Sequence, residues 1–331
     1  TIDSYLVYRM TKGEVYATDY SNASRTQLFN IFTLKWDEEI CRAFGIDADN
    51  LPEVRDSNSC FGYTDCEGLF PRPVPIHAVM GDSHAALFGQ NCRSDGKTKV
   101  TYGTGSSIMM NIGCEPILSR NGLVTSLAWG LNGRAEYVLE GNLNYTGAVI
   151  SWLKDDVKLI GSAAETEALA YEAGKDDNLY LVPAFTGLGA PYWDSSARAA
   201  MIGMDRTTGK AELTRAALES IAYQITDIVR AMEKDSQKRI EVLRVDGGPT
   251  KNRYLMQFQS DIAGSEVAIS TIEELSGTGA AFMAGMALGL WGEEIFDTIS
   301  WKQVTPQMAQ EVREKKFAGY QNAVGLIRTG K

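Results

Sequence analysis

The sequence has few histidines and no paired cysteines, and both shortages exclude kinds of site. Its two imidazoles, His77 and His84, are too few for a histidine-rich metal centre. Its five cysteines are odd in number and include no Cys-x-x-Cys pair, so they indicate neither a disulfide framework nor a zinc site. Free cysteines fit a reducing compartment. We therefore expect a cytoplasmic protein whose own side chains hold no metal ion.

Long apolar runs and basic patches are also missing. No apolar run reaches the roughly 20 residues of a membrane span, and no basic segment followed by an apolar one opens the chain as in a secretory signal. The formal charge of −10, without a stripe of Lys and Arg between aromatics, predicts no nucleic-acid partner. The chain begins at Thr1 rather than Met, which we interpret as the sign of a piece of a longer protein.

What is present predicts an α/β protein of two domains. With 331 residues and 44% apolar side chains, the chain exceeds the usual size of a single core. Apolar residues recur at helical spacing over 213–232, whereas 242–245 has the pattern of a buried strand. The polar stretch 20–30 is predicted to be a loop. We place a hinge at 90–96, which divides residues 1–90 from residues 91–331.

Three glycine turns follow predicted strands, at 81–82, 103–105 and 246–248. Taken singly, each is more typical of an ordinary turn. The turn at 103–105 joins strands predicted over 99–102 and 107–112, and its backbone N–H groups can converge on a phosphate. It is not a Walker A loop, because no Gly-Lys-Ser/Thr follows. A strand rather than a helix follows it, which argues against a dehydrogenase.

Two further predictions concern helices beside a cleft. Asp82 stands directly before the apolar residues 85–88, so we expect it to cap the first helical turn while its carboxylate points into the cleft. The small residues 277–281 are predicted to lead into a helix over 282–290 that packs closely across the two domains. Neither feature identifies a reaction by itself.

Longer segments resemble a known family. In order, residues 18–26, 51–55, 85–90, 182–194 and 243–248 are similar to segments of the FGGY family of carbohydrate kinases, and within it to glycerol kinases. The match runs to about residue 291. The resemblance implies an actin/Hsp70-like (ribonuclease H-like) fold, in which two domains close on ATP and substrate. Residues 1–90 would belong to a truncated substrate-side domain, and residues 91–331 to the nucleotide-binding domain.

The same resemblance implies a reaction and a set of site residues. The reaction is ATP-dependent phosphorylation of a hydroxyl of a small polyol or sugar, with Mg²⁺ held mainly through the nucleotide phosphates. Asp82 matches the general base that accepts the hydroxyl proton, and it matches a substrate-binding position together with Ser83 and Ser107. The positions that match nucleotide contacts are Thr104, Gly105, Gly147, Ser151, Gly248 and Asn252. Whether the protein forms a homo-oligomer is left open.

Departures from the glycerol kinase pattern leave alternatives for the substrate and for the function. Ser83 stands where those enzymes usually have Gln, Ser107 where they have Phe, and Ser151 where they commonly have Gln. The two smaller substrate-side residues favour a four- or five-carbon polyol or ketose, although glycerol stays an alternative. Arg25 fits a solvated loop charge as well as a site residue. A non-catalytic nucleotide-binding module or a sugar-binding protein is also open, and the chain alone is expected to be inactive because the family's first phosphate hairpin is missing.

Overall fold

The structure is a computed structural model that describes residues 1–174 and 178–328. Residues 175–177 and 329–331 of the predicted second domain therefore lie outside the described residues. We refer below to residues 1–89 as the N-terminal part and to residues 98–328 as the C-terminal part.

The N-terminal part consists of short elements. The parallel pair is β1 (Ala17–Asp19) with β4 (Glu53–Arg55). Two antiparallel pairs are β2 (Phe29–Asn30) with β3 (Lys35–Trp36), and β5 (Cys60–Thr64) with β6 (Val74–His77). The helices are α1 (Ile2–Met10), α2 (Tyr20–Ala23), α3 (Glu38–Ala43), a 3₁₀ turn (Ala48–Asn50) and α4 (Asp82–Gly89). The loop predicted over 20–30 is therefore wrong at both ends, where α2 and β2 form.

A seven-stranded mixed sheet forms the centre of the C-terminal part, in the order β15-β14-β13-β7-β8-β10-β9. Its strands are β7 (Thr98–Tyr102), β8 (Ser106–Asn111), β9 (Val124–Leu131), β10 (Arg134–Leu143), β13 (Val242–Asp246), β14 (Glu266–Ser270) and β15 (Trp301–Val304). Strand β13 runs parallel to β7 and β14, and the other pairs are antiparallel. The predicted strands on both sides of residues 103–105 are confirmed as a hairpin.

Helices cover both faces of this sheet. They are α5 (Gly147–Ser151), a π-helical turn (Trp152–Asp156), α6 (Glu165–Glu172), α7 (Lys210–Ser236), α8 (Arg253–Ala263), α9 (Leu275–Ala287) and α10 (Gln310–Ile327), with 3₁₀ turns at Gly248–Lys251 and Glu293–Thr298. A separate hairpin pairs β11 (Tyr180–Val182) with β12 (Ala200–Ile202). Apolar residues of α7, α8 and α10 form the core on one face, which confirms the predicted helix over 213–232.

Helix α4 of the N-terminal part covers the other face of the sheet together with α9. Leu87 and Phe88 pack with Met109, Trp129 and Val138 in one buried cluster. The N-terminal part is thus joined to the C-terminal part through a shared apolar core as well as through the chain.

Glycines allow α4 and α9 to approach closely. A Cβ on Gly279 would overlap the carbonyl oxygen of Ala85, and a Cβ on Gly89 would overlap the backbone of α9 at Leu275. The predicted close packing of a small-residue helix is confirmed, but its predicted start is wrong. The helix begins at Leu275, so the glycines lie inside it, where the crossing requires them.

Candidate active site

Asp82 lies at the exposed start of α4, directly after the turn that leaves β6. The expected capping role is wrong, because the helix begins one residue earlier than predicted and Gly81 is its N-cap. One carboxylate oxygen of Asp82 accepts the backbone N–H of Ser83 at 2.6 Å. Ser83 is itself partly exposed. The carboxylate is therefore accessible to a molecule outside the folded chain.

A buried carboxylate positions the turn before Asp82. Asp19 is fully buried, and it accepts hydrogen bonds from the hydroxyls of Ser57 at 2.6 Å and Ser21 at 2.8 Å. Because the Ser21 proton is donated to Asp19, the Ser21 oxygen accepts the N–H of Gly81, at 2.8 Å. Burial raises the pKa of Asp19, and these hydrogen bonds oppose the increase. The sequence analysis did not select Asp19, whose only signal was its place at a strand end within a matched segment.

The hairpin turn at 103–105 rests on the start of α5. The carbonyl oxygen of Thr104 accepts the N–H groups of Thr146 and Ala148, both at 3.0 Å, while the Thr104 residue itself is exposed. A Cβ on Gly147 would lie 2.7 Å from the carbonyl oxygen of Gly103, and a Cβ on Gly105 would overlap the carbonyl oxygen of Leu143. Close packing therefore requires glycine at both positions, independently of any role in binding.

A cavity of about 850 Å³ opens beside this hairpin. It brings together four of the predicted nucleotide positions, namely Gly147, Ser151, Gly248 and Asn252. Thr104 and Gly105 do not line it, although they are joined to it through Gly147. Apolar side chains from α5, α7 and α8 form part of its wall: Ile150, Leu218, Ile221 and Leu255. A wall of this kind suits the flat ring of a nucleotide base.

The two glycines after β13 have different roles. Gly247 has a φ of 101°, and a Cβ there would overlap the carbonyl oxygen of Tyr102, so the fold itself requires glycine. Gly248 is exposed, and a Cβ on it would meet no atom within 4 Å. Within the described residues, nothing requires glycine at 248. The open space beside Gly248 is one that a phosphate or sugar can occupy.

Asn252 is held by the protein at both ends of its amide. Its Oδ1 accepts the N–H of Leu255 at 2.9 Å and so caps α8, and its Nδ2 donates to the Thr166 hydroxyl at 3.0 Å. Ser151 is exposed at the end of α5. The Asn252 side chain cannot rotate without breaking these hydrogen bonds, whereas the Ser151 side chain can rotate toward a ligand.

A buried lysine contacts Ser107, one of the predicted substrate positions. Lys99 is completely buried on β7, and its ammonium donates to the hydroxyls of Thr101 and Ser107, both at 3.1 Å. Burial lowers its pKa, and the carboxylates of Asp246, Glu140 and Asp82 oppose that effect. All three carboxylates therefore act electrostatically on the Lys99 ammonium. The sequence analysis missed Lys99, although a lysine within an apolar strand is an available signal.

Arg25 connects the N-terminal part to strand β10 of the central sheet. Its guanidinium forms an ion pair with Glu140, which is buried on β10. His84 is buried close by, and burial together with Arg25 and Lys99 lowers the pKa of its imidazole to about 3. His84 Nε2 has no hydrogen-bond partner within the described residues. Arg25 is thus an ion-pair partner between the two parts rather than a free loop charge.

The described residues contain neither a metal-binding cluster of side chains nor a membrane-spanning helix. In residues 1–174 and 178–328, no group of three or more His, Cys, Asp or Glu side chains is placed to hold a metal ion. Within the same ranges, no helix has the length and apolar character to cross a bilayer.

Comparison with known proteins identifies the family. The model described as the C-terminal domain of the FGGY family of carbohydrate kinases matches residues 98–288, and the model of the N-terminal domain matches residues 1–89. The chain belongs to the FGGY family of carbohydrate kinases. A glycerol kinase from Petrotoga mobilis is 47% identical to it over 331 residues, which are 99% of this chain and 66% of that protein. The chain thus spans just under two thirds of that relative.

Solved structures agree with the fold of an FGGY kinase. A Plasmodium falciparum glycerol kinase crystallised with ADP superposes with a TM-score of 0.92 at 35% identity, over 99% of this chain and 66% of that one. A ligand-bound xylulose kinase from Lactobacillus acidophilus superposes with a TM-score of 0.84 at 24% identity, over 98% and 66% of the chains, which supports the fold alone. The predicted actin/Hsp70-like α/β fold is confirmed.

Proposed function

We propose that the full-length FGGY protein transfers the γ-phosphoryl group of ATP to a hydroxyl of a small polyol or sugar. The observation that carries the proposal is the placement of Asp82. Its exposed carboxylate begins α4 and acts electrostatically on Lys99, whose ammonium bonds Ser107 just after the 103–105 hairpin. That hairpin is joined through Gly147 to the cavity with open space at Gly248. The identity to glycerol kinases supports the same reaction class.

In this proposal Asp82 accepts the proton of the attacking hydroxyl, and Ser83 and Ser107 contact the rest of the substrate. Thr104 and Gly105 approach the γ-phosphoryl group, while Gly147, Ser151, Gly248 and Asn252 surround the rest of the nucleotide. Bound ATP supplies the phosphoryl group, and Mg²⁺ bound through its phosphates neutralises their charge. The Asp19–Ser21–Gly81 hydrogen bonds hold Asp82 in place, because phosphoryl transfer depends mainly on positioning and charge stabilisation.

We further propose that the boundary between residues 90 and 91 separates the substrate-side from the nucleotide-binding domain. In the same proposal, the 331 residues alone turn over no substrate. The support is that relatives such as the Petrotoga enzyme have half as much chain again, and that donors from both sides of a cleft stabilise a transferring phosphoryl group.

The test is an ADP-release assay of the full-length protein with a panel of polyols and sugars, beside the Asp82→Asn variant. We expect turnover that falls on the order of 10²–10⁴-fold in the variant, because the amide cannot accept the proton. Nucleotide affinity should stay within about threefold, since Asp82 lies outside the nucleotide cavity. Near-normal kcat in the variant would remove Asp82 from catalysis, and nucleotide binding without any transfer would favour the non-catalytic module.

A substrate of four or five carbons is the second candidate. Ser83 and Ser107 leave more room and more hydroxyls on the substrate side than the Gln and Phe that glycerol kinases usually carry. Both serines are partly exposed. The candidate is tested by comparing kcat/KM among polyols and ketoses of three to five carbons, where discrimination appears.

A further inference from the structure

Ser107 and Asn142 are direct neighbours across β8 and β10, close to the start of β8 and the end of β10. Residues opposite each other in an antiparallel pair point to the same face, with Cβ atoms about 4.5–5.5 Å apart. Ser107 is partly exposed and Asn142 is exposed. A single small group can therefore reach both side chains.

The hydroxyl of Ser107 is restricted to donating to a group outside the described residues. Lys99 has three N–H donors and no acceptor, so the Ser107 oxygen must accept the bond that joins them at 3.1 Å. Lys99 makes a second bond of this kind to Thr101, which fixes the ammonium between the two hydroxyls. No acceptor within the described residues takes the Ser107 proton, which leaves it for a ligand.

The amide of Asn142 is restricted in the opposite sense. Its Nδ2 donates to Oε1 of Glu140 at 2.7 Å, and the reversed amide would place two acceptors against each other. Glu140 is itself held by the ion pair with Arg25 through its other oxygen. The Oδ1 of Asn142 therefore faces away from Glu140 as an acceptor, without a partner in the described part of the chain.

We propose that Ser107 and Asn142 together bind one hydroxyl group of the substrate, with Ser107 donating to it and Asn142 accepting from it. Among the oxygen groups of a polyol or ketose, only a hydroxyl satisfies both side chains at once, because an ether or a carbonyl oxygen cannot donate. This inference rests on the proposed kinase function. It assigns the substrate as a polyol or ketose of four or five carbons that keeps a free hydroxyl at the end far from phosphorylation. Lys99 and Glu140 are positioning residues for this pair.

The experiment measures kcat/KM of the full-length protein with ATP for matched substrates. Erythritol is compared with butane-1,2,3-triol, xylitol with pentane-1,2,3,4-tetrol, and D-xylulose with 1-deoxy-D-xylulose, so that each pair differs by one terminal hydroxyl. We expect at least one pair to show a preference of about 10- to 100-fold for the hydroxylated member, as for one hydrogen-bonded hydroxyl.

Variants then locate the preference. Ser107→Ala and Asn142→Ala should each reduce it to less than about threefold, and the double variant should reduce it no further, because both residues act on one group. Ser106→Ala is the matched control, since Ser106 is adjacent in β8 but bonds Thr146 on the opposite face, and it should leave the ratio unchanged. Ser107 is partly exposed and Asn142 is exposed, whereas Ser106 is buried, so thermal unfolding of each variant verifies folding.

The outcomes separate the two proposals. Transfer to these substrates without a preference, or with a preference that survives both alanine variants, overturns the hydroxyl subsite and leaves the kinase proposal standing. Absence of transfer to every substrate overturns the kinase function, and the subsite inferred from it as well. A preference lost equally in Ser106→Ala also overturns the subsite, because the effect then comes from the hairpin as a whole.

Discussion

The Ser21 hydroxyl accepts the backbone N–H of Gly81 at 2.8 Å, and this bond joins β1 and α2 to the turn that carries Asp82. Ser21 is held in turn by the buried carboxylate of Asp19. The candidate base is therefore positioned by a chain of hydrogen bonds that is separated from it by about 60 residues of sequence. Asp19 and Ser21 are fully buried, so they support the turn that carries Asp82 without being open to a ligand themselves.

Removing the Ser21 hydroxyl should affect turnover more than binding. We expect Ser21→Ala to lower kcat by about 10-fold or more, with KM for ATP nearly unchanged, because misplacing a reacting group is costly. Ser24→Ala is the control, since its hydroxyl bonds the Ser21 carbonyl and not Gly81. Steady-state kinetics of the full-length protein gives both constants. An equal loss of kcat in the control, or an unchanged kcat in Ser21→Ala, contradicts the positioning role.

The two glycines after β13 should respond differently to alanine. We expect Gly247→Ala to destabilise the protein by about 1–3 kcal/mol or more, because its backbone is left-handed and Tyr102 leaves no room. Gly248→Ala should leave the free energy of unfolding within about 0.5 kcal/mol of wild type. It should nevertheless weaken ATP and ADP binding at least about 10-fold, because the methyl group takes the space assigned to the nucleotide.

Chemical denaturation and titration calorimetry with ADP measure the two quantities separately. Normal ADP affinity in Gly248→Ala would show that the nucleotide does not approach this turn. A stable Gly247→Ala variant would contradict the packing reason given for that glycine.

Asp227 on α7 should make stability depend on pH. Burial raises its pKa to about 7, and the bond donated by the Tyr192 hydroxyl opposes this increase. A carboxyl that binds its proton more tightly in the folded state favours folding at low pH, and this contribution is lost as pH rises from about 4 to about 7. Asp227→Asn should therefore be more stable than wild type at pH 8, on the order of 2 kcal/mol, with a smaller gain at pH 5.

Urea denaturation of the two proteins at both pH values tests this dependence. Asp297→Asn removes an exposed carboxylate and serves as the control, with no expected change in the pH profile. A gain that is equal at pH 5 and pH 8 would show that the carboxylate is not the titrating group.

Ser107→Phe should narrow the substrate side of the cleft. We expect kcat/KM for four- and five-carbon polyols and ketoses to fall at least about 10-fold more than kcat/KM for glycerol, since the ring takes their space. The Ser107→Ala variant also loses the hydrogen bond to Lys99 but adds no bulk, so it separates the effect of the lost bond from the effect of the ring. A wild-type protein that clearly prefers glycerol, or a Phe variant that penalises all substrates equally, contradicts the assignment of a larger substrate.

The sequence alone determined the local elements and the family. Apolar spacing located α7, β13 and the hairpin around residues 103–105, because periodicity follows directly from which side chains must be buried. The matched segments led to an FGGY kinase, which the family models confirm. The predicted starts of α4 and α9 were wrong, since these helices begin at Asp82 and Leu275. The start of a helix depends on a few backbone hydrogen bonds and on packing.

Only the tertiary structure decided how distant residues act on one another. The sequence shows that Gly247 and Gly248 are adjacent, but the approach of Tyr102 makes one structural and leaves the other open. Likewise, the sequence shows Ser107 only as a small polar residue. The fold brings Lys99 of the neighbouring strand to donate a hydrogen bond to its hydroxyl oxygen. Hydrogen-bond polarity and free space depend on partners brought together by folding, and no local pattern in the chain encodes those partners.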